Sequence, residues 1–373
     1  MSWRSKRTRV LAPLAGLVLA AGLAACGSDD STDSTSSSSG SGSGTIAFLL
    51  PETETARYET QDKPLFEQKV NELCPDCDIL YQNADQDPTK QQSQVEAAVT
   101  QGANVIVLDP VDSTSAAGMV TRAQQADIPV ISYDRLILNA DLAAYAEFNS
   151  PEVGKQQGDA LTKKLAEDGN PTGPIIQING DPKDNNAKLF KEGATSVFQA
   201  KGVDVAKEYD TPDWLPENAQ KEMDQAITAV GDGGFHGVLA ANDGTAGGAI
   251  AALKGAGIDP STIPVTGQDA ELAAIQRILA GEQYMTVYKP IKPLADNAAT
   301  LAVAVINGED PAQSDVINGA EDNGTEKVPA AITDTIPVFQ DNVKDTVVKD
   351  GYWSAQEICT QQFAQDCKDA GIQ

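Results

Sequence analysis

The sequence predicts an α/β protein of two doubly wound parallel sheets, and three observations carry that reading. Short apolar runs with the character of buried parallel strands alternate with stretches whose apolar residues recur every three or four positions. The alternation fills about 330 residues, more than one such sheet accommodates, so two Rossmann-like lobes are expected. Polar and charged residues follow directly on the strand-like runs, the place where open α/β sheets bind their ligands.

Taken in chain order, residues 1–26 read as an export signal. Arg4, Lys6, Arg7 and Arg9 make a basic start, and Val10 to Ala25 form an apolar run too short for a membrane span. Leu23-Ala24-Ala25-Cys26 then sets small residues before a cysteine. This ending resembles the bacterial lipoprotein box, which implies that Cys26 becomes the lipidated first residue of an exported protein, anchored on the outer face of the cell membrane or its periplasmic side. Residues 27–44 are rich in Ser and Gly and read as a flexible tether.

Beyond the tether, strands are expected at Ile46 to Leu50, Ile79 to Gln82, Val105 to Leu108, Ile128 to Tyr133, Ala143 to Phe148, Ile175 to Ile178, Gly237 to Ala241, Ile263 to Thr266 and Met285 to Tyr288. Helical periodicity covers 64–73, 90–101, 114–126, 152–167, 186–199, 216–230, 245–256 and 270–280. No basic helix-turn-helix segment precedes the first strand, which argues against a transcriptional regulator built on the same plan.

Charge narrows the partners. The chain has 27 Lys and Arg against 54 Asp and Glu; without the four bases of the signal segment, 23 bases remain and the net charge is −31. Such a field repels nucleic acid and anionic lipid. With Cys26 assigned to lipid, Cys74, Cys77, Cys359 and Cys367 form an even set in an oxidising compartment, and two disulfides are the expectation. Of the three connectivities, the local pairs Cys74 with Cys77 and Cys359 with Cys367 need no long-range coincidence. Cys74-Pro75-Asp76-Cys77 closes a helix instead of opening one, unlike a thioredoxin-type redox motif.

The strand ends are the informative feature. Tyr133 runs into Asp134-Arg135, Ile178 into Asn179 and then Asp184-Asn185-Asn186, Ala241 into Asn242-Asp243, Gly267 into Gln268-Asp269, and Tyr288 into Lys289. One such residue is readily a helix cap, as Asp184 and Asp243 would be; five ends together point to a crevice. Mixed carboxylates, amides and bases suit a neutral polyol, whose hydroxyls each donate once and accept twice. Trp214 and Tyr58 supply aromatic faces for the apolar side of a sugar ring. Catalysis finds no set to carry it: the one histidine, His236, begins an apolar strand, and no nucleophile has a neighbouring base. Asn83-Ala84-Asp85-Gln86-Asp87 imitates a calcium loop but has Pro88 for the turn glycine and Gln94 for the closing acid, so no metal or cofactor is expected.

The segments Tyr133-Asp134-Arg135-Leu136-Ile137, Asp184-Asn185-Asn186-Ala187-Lys188-Leu189-Phe190, Trp214-Leu215-Pro216-Glu217-Asn218-Ala219, Asn242-Asp243-Gly244-Thr245-Ala246-Gly247-Gly248-Ala249-Ile250, Gly267-Gln268-Asp269-Ala270 and Met285-Thr286-Val287-Tyr288-Lys289-Pro290-Ile291 closely resemble the D-xylose-binding proteins of bacterial ABC importers. The resemblance runs in order over about residues 45–352. It implies a periplasmic binding protein of type I, with two Rossmann-like lobes joined by three hinge strands: 45–148 plus 290–335, and 149–289 plus 336–353, followed by a cysteine-containing tail at 354–373. It implies sugar contacts from Arg57, Asp134, Arg135, Asp184, Asn186, Asn242, Asp269 and Lys289, with Trp214 stacking. Arg57-Tyr58 stands where the family usually has Arg-Trp, and Pro51-Glu52-Thr53-Glu54 departs from the common strand end. The expected function is a monomeric, non-enzymatic receptor that delivers D-xylose or a related monosaccharide, glucose, galactose or arabinose, to an ABC permease. A sensor read by a membrane signalling protein is the second reading.

Overall fold

The computed structural model describes residues 42–372. The signal segment, Cys26 and the tether up to residue 41 lie outside the described residues. The last three tether residues are fastened to the fold: the Gly42 N–H donates to Asn307 Oδ1 at 3.0 Å, and the Gly44 carbonyl accepts from the Asp78 N–H at 2.9 Å.

The first lobe is built on β1 (Thr45–Leu50), β2 (Asp78–Asn83), β3 (Val105–Leu108), β4 (Val130–Tyr133) and β5 (Ala144–Phe148). Late in the chain β10 (Gly319–Asp322) and β11 (Lys327–Thr333) join it, giving the order β2-β1-β3-β4-β5-β11-β10, parallel except for β10. The central strands are fully apolar or nearly so where both faces are covered, as β3 (VIVL, wholly buried) illustrates. The second lobe has β6 (Ile175–Asn179), β7 (Val205–Asp210) and β8 (Val238–Ala240) in the parallel order β7-β6-β8, beside the antiparallel pair β9 (Thr286–Tyr288) and β12 (Ile336–Val338). The chain passes between these sheets three times: between Phe148 and Ser150, between Tyr288 and Ile291, and between Thr333 and Ile336.

Helices cover the sheets: α1 (Lys63–Leu73), α2 (Pro88–Thr100), α3 (Ala117–Gln124), α4 (Ser150–Glu167), α5 (Asn185–Lys201), α6 (Pro216–Val230), α7 (Asp243–Gly255), α8 (Leu272–Leu279) and α9 (Ile291–Ile306), with α10 (Ala355–Ile358) and α11 (Ala364–Asp369) near the end. Among the described residues, no helix is long and apolar enough to cross a membrane. Local chemistry starts several of them. Asp87 accepts from Thr89 and Lys90 and Pro88 opens α2, while Asn149 caps α4. The would-be calcium loop is thus spent on capping α2, and its Asp85 pairs with Lys90.

One expectation changes. Ile263 to Thr266 makes a single bridge, Val265 to Val238, and no strand; Pro264 has no N–H to give a ladder, and the Thr266 hydroxyl bonds instead across to Ala240. Residues 354–372 of the tail are packed into the fold. Ile358, Cys367 and Ile372 are buried in one apolar cluster with Val343, Val347, Tyr352, α8 and α9. Cys74 and Cys77, with Cα atoms 5.4 Å apart, and Cys359 and Cys367, 5.8 Å apart, are placed as bonded pairs.

Candidate functional site

Because the strands of both sheets run parallel, their C-terminal ends converge on the space between the lobes. There lies a small cavity of about 20 Å³, lined by Thr55, Arg57, Tyr58, Asp134, Arg135, Asp184, Asn186, Phe190, Trp214, Asn242, Gln268, Asp269 and Lys289. The nine ligand contacts that the resemblance implies and Tyr58 are all in this wall; of the other strand-end residues Gln268 is in it, while Asn179, Asn185 and Asp243 are not. His236 is not: it sits at the opposite, N-terminal end of β8, where its N–H bonds the Pro174 carbonyl.

The first-lobe wall is an ion-pair lattice. Arg57 forks onto Asp62, Nε to Oδ2 at 3.0 Å and Nη2 to Oδ1 at 2.8 Å, and turns Nη1 toward Asp134 at 3.4 Å and Asp269 at 3.8 Å. Tyr58 donates its hydroxyl to Asp134 Oδ2 at 2.9 Å, and its ring lies under the guanidinium of Arg57, 4.9 Å away. It therefore acts through its polar end and as a cation platform, where the sequence suggested a stacking wall. Asp134 itself stands at the end of β4 with φ +55°, a left-handed turn in which its carbonyl accepts from the Tyr145 hydroxyl and from Asn186 while its carboxylate lines the cavity. Burial alone would raise its pKa; Arg57, Lys289, Arg135 and the Tyr58 hydroxyl outweigh that and hold it at about 2, so it is an obligate acceptor.

Arg135 faces three carboxyls: Asp184 at 3.1 Å, Asp109 at 3.7 Å and Glu52 at 3.8 Å. Asp109 and Glu52 lie fully buried behind it, and burial pushes both carboxyls up against the pull of Arg135. Both stand behind the guanidinium, where burial disfavours their charged forms and Arg135 favours them.

The second-lobe wall is set by helix starts. Asp184 caps α5, its Oδ1 accepting from the Asn186 N–H at 2.8 Å, while its Oδ2 accepts from Trp214 Nε1 at 3.2 Å. It is at once a cap and a cavity residue. At the next strand end the cap is Asn242, through a box with Thr245, and not Asp243. Asp243 turns away from the cavity to accept from Gln283, Thr286 and the Glu271 N–H. Gln157 of α4 ties the ends together, donating to the carbonyls of Ala240, Ala241 and Gly267 at 3.0–3.2 Å. Lys289 pairs with Asp269 at 2.7 Å.

Trp214 is seated against Gly180, where a Cβ would come within 1.9 Å of its ring, and meets Phe190 edge-on with centroids 6.5 Å apart. Phe190 and Thr55 are cavity residues that the sequence does not point to, and Gln268 stands out there only as part of a strand end. Phe190 follows Asn186 by four positions, hence shares its helix face; Gln268 directly precedes Asp269 at a recognised strand end. Thr55 left no signal.

The lobes are closed on one another by direct bonds across the cleft. Asn186 Nδ2 donates to the Asp134 carbonyl at 2.8 Å, the Ser113 N–H donates to the Lys183 carbonyl at 3.0 Å, the Asn185 N–H to Ser113 Oγ at 3.1 Å, and Gln86 Nε2 to the Asp213 carbonyl at 3.0 Å. The arrangement offers fixed donors and acceptors around a small space with aromatic walls, and no activated nucleophile.

Residues 46–310 match the family described as "Periplasmic binding protein domain". The chain is 38% identical over 317 residues to the D-xylose-binding periplasmic protein of Escherichia coli, covering 84% of this chain and 92% of that one. It is 31% identical to a multiple sugar-binding periplasmic receptor of Rhizobium radiobacter, covering 84% and 92%. Among solved structures, a carbohydrate transporter solute-binding protein from Chloroflexus aurantiacus in complex with D-glucose superposes with a TM-score of 0.75 at 30% identity, covering 84% of this chain and 98% of that one.

Proposed function

Since the chain belongs to the periplasmic binding protein family, we propose that it is an exported receptor that closes its two lobes on D-xylose and presents the sugar to an ABC permease. The observation that carries this reading is the composition of the cavity wall: Asp134, Arg135 and Arg57 from one lobe face Asp184, Asn186, Asn242 and Asp269 from the other. In this reading those residues and Lys289 hydrogen-bond the sugar hydroxyls, with Trp214 and Phe190 against its C–H face. The relatives named for xylose support that sugar first. The glucose-bound relative makes D-glucose the second candidate.

The hinge in this proposal is made by the three crossings, so that 45–148 with 290–335 moves against 149–289 with 336–353. Cys26 is proposed as the lipid attachment point, and the pairs Cys74–Cys77 and Cys359–Cys367 as disulfides formed after export, a compartment that favours both. Mass spectrometry of the membrane-extracted protein checks these three assignments. Calorimetry against xylose, glucose, galactose and arabinose tests the receptor: xylose is expected to bind most tightly. A protein that prefers glucose overturns the pentose assignment, and one that binds none of the four overturns the receptor.

A further inference from the structure

Asp269 and Ala270 have φ values of +94° and +50°, in the region that L side chains rarely adopt and that glycine usually fills. Such backbone persists only where its surroundings over-determine it. On one side β9 supplies the restraint: the Asp269 N–H donates to the Val287 carbonyl at 2.9 Å, and the Ala270 N–H to Thr286 Oγ1 at 3.2 Å. On the other side both carbonyls are taken by the segment that follows the last strand. Tyr352 donates its hydroxyl to the Asp269 carbonyl at 3.2 Å, and Trp353 donates Nε1 to the Ala270 carbonyl at 2.7 Å.

Tyr352 also packs behind the other partner in the cavity. The Tyr352 ring packs on Tyr288, centroids 5.0 Å apart, and Tyr288 directly precedes Lys289, whose ammonium holds Asp269. Tyr352 and Trp353 are themselves packed edge to face at 5.4 Å. Behind them the segment is moored to α8 by Gln276, which donates to the Ile358 carbonyl at 3.2 Å, and to the first lobe by Gln61, which donates to the Tyr352 carbonyl at 3.4 Å.

We propose that Tyr352 and Trp353 are positioning residues for the sugar site: the C-terminal segment braces the strained Asp269-Ala270 turn and thereby fixes the Asp269 carboxylate where it meets the ligand. The proposal rests on the receptor reading above. It assigns a part in binding to a segment that touches no ligand, and it makes affinity depend on two hydrogen bonds to main-chain carbonyls outside the cavity.

A double-mutant cycle tests it, with calorimetry of D-xylose carried to high sugar concentration so that weak binding stays measurable. Tyr352→Phe and Trp353→Phe each remove one donor and keep an aromatic ring. Combined, they are expected to weaken xylose binding about tenfold, each bond counting for about half of that on a logarithmic scale. In the Asp269→Asn background, where the anchored carboxylate is already gone, the same pair is expected to weaken binding less than about twofold, because the two perturbations act on one contact. Equal factors in both backgrounds overturn the proposal and leave the aromatic pair as packing only, as does full affinity in the double Phe variant. If the parent protein binds no monosaccharide, the receptor reading fails first and takes this inference with it. Thermal unfolding without sugar, on the single variants as well as the pair, shows whether any loss follows from the fold instead.

Discussion

The seat of Trp214 makes its neighbour Gly180 decisive for binding, although Gly180 touches no ligand. Gly180 directly follows Asn179, the last residue of β6, and a Cβ built there meets three indole atoms at 1.9, 2.2 and 2.4 Å. Ordinary contact begins near 3.4 Å, so in Gly180→Ala the six-membered part of the indole must withdraw by about 1.5 Å. Asp184 and Phe190 already occupy its edges, and the space left to it is the cavity. Two losses follow. Overpacking of a closed site costs about 1 to 3 kcal/mol, and the Nε1 bond to Asp184, a hydrogen bond to a carboxylate, is worth about 1.5 to 3 kcal/mol where it is broken. Partial relaxation of the ring brings the expected loss of affinity to about 2 to 4 kcal/mol, roughly thirtyfold to roughly a thousandfold in the dissociation constant. Titration calorimetry with D-xylose reads it, and thermal unfolding without sugar separates binding from stability. The double variant Gly180→Ala with Trp214→Ala supplies the control: with the indole gone the new methyl has room, so it should bind no more weakly than Trp214→Ala alone. Parent-like affinity in Gly180→Ala, or additive losses in the double variant, refutes the reasoning.

Other consequences are as direct. Asp269→Ala should weaken sugar binding by about 1.5 to 3 kcal/mol through the lost charged acceptor, whereas His236→Ala, at the far end of β8, should leave it unchanged by the same calorimetry. Asp109 has its folded pKa raised by burial, so its contribution to stability is fully present below its unfolded value near about 4 and is lost as pH rises through the folded value. Asp109→Asn should therefore lose less stability than the parent as pH rises above about 4 in denaturant melts; an unchanged slope counts against a proton held there. Finally, the cross-cleft bonds of Ser113 and Asn186 belong to the closed arrangement, so saturating sugar should compact the protein in small-angle scattering, and constant dimensions exclude hinge closure.

Much of the site is legible in the sequence because a parallel sheet converts sequence order into position: whatever follows a buried strand stands at its C-terminal edge. That rule alone assigns Asp134, Arg135, Asp184, Asn242, Asp269 and Lys289 to one crevice, and the fold gathers all six in one wall. It is silent on what backs the wall. Asp109 follows β3 and Glu52 follows β1, and only the fold shows both behind Arg135. Capping is ambiguous by nature, since Asn242 and Asp243 are both good caps; the box with Thr245 decides for Asn242 and frees Asp243 for Gln283 and Thr286. The edge strand β7 (VAKEYD) is hidden by its exposed Lys207 and Glu208, and β11 by the proline within KVPAAIT. Ile263 to Thr266 fails in the other direction, an apolar run whose proline denies it a ladder.

The charge pattern of the wall argues for a neutral ligand more strongly than its residue types do. Arg57, Arg135 and Lys289 each already have a carboxylate partner, at 2.8, 3.1 and 2.7 Å, so no cation of this wall stands free to select an anion. Asp134, held ionised by the surrounding bases, and Asp269 would repel a carboxylate or phosphate entering beside them. A cationic ligand would have to displace one of the three bases, leaving a buried guanidinium or ammonium without its partner, a loss of several kcal/mol. A polyol avoids both penalties, because its hydroxyls donate to oxygens and accept from nitrogens that remain in their ion pairs. Arg57 with Asp62 and Lys289 with Asp269 are paired within their own lobes and need little reordering, whereas Arg135 meets Asp184 across the cleft only when the lobes close. On this view Arg57→Lys should harm binding out of proportion to the charge it preserves, a loss that calorimetry with D-xylose reads. A lysine cannot fork onto Asp62 while still reaching toward Asp134 and Asp269, and the two acceptors would lose their fixed alignment.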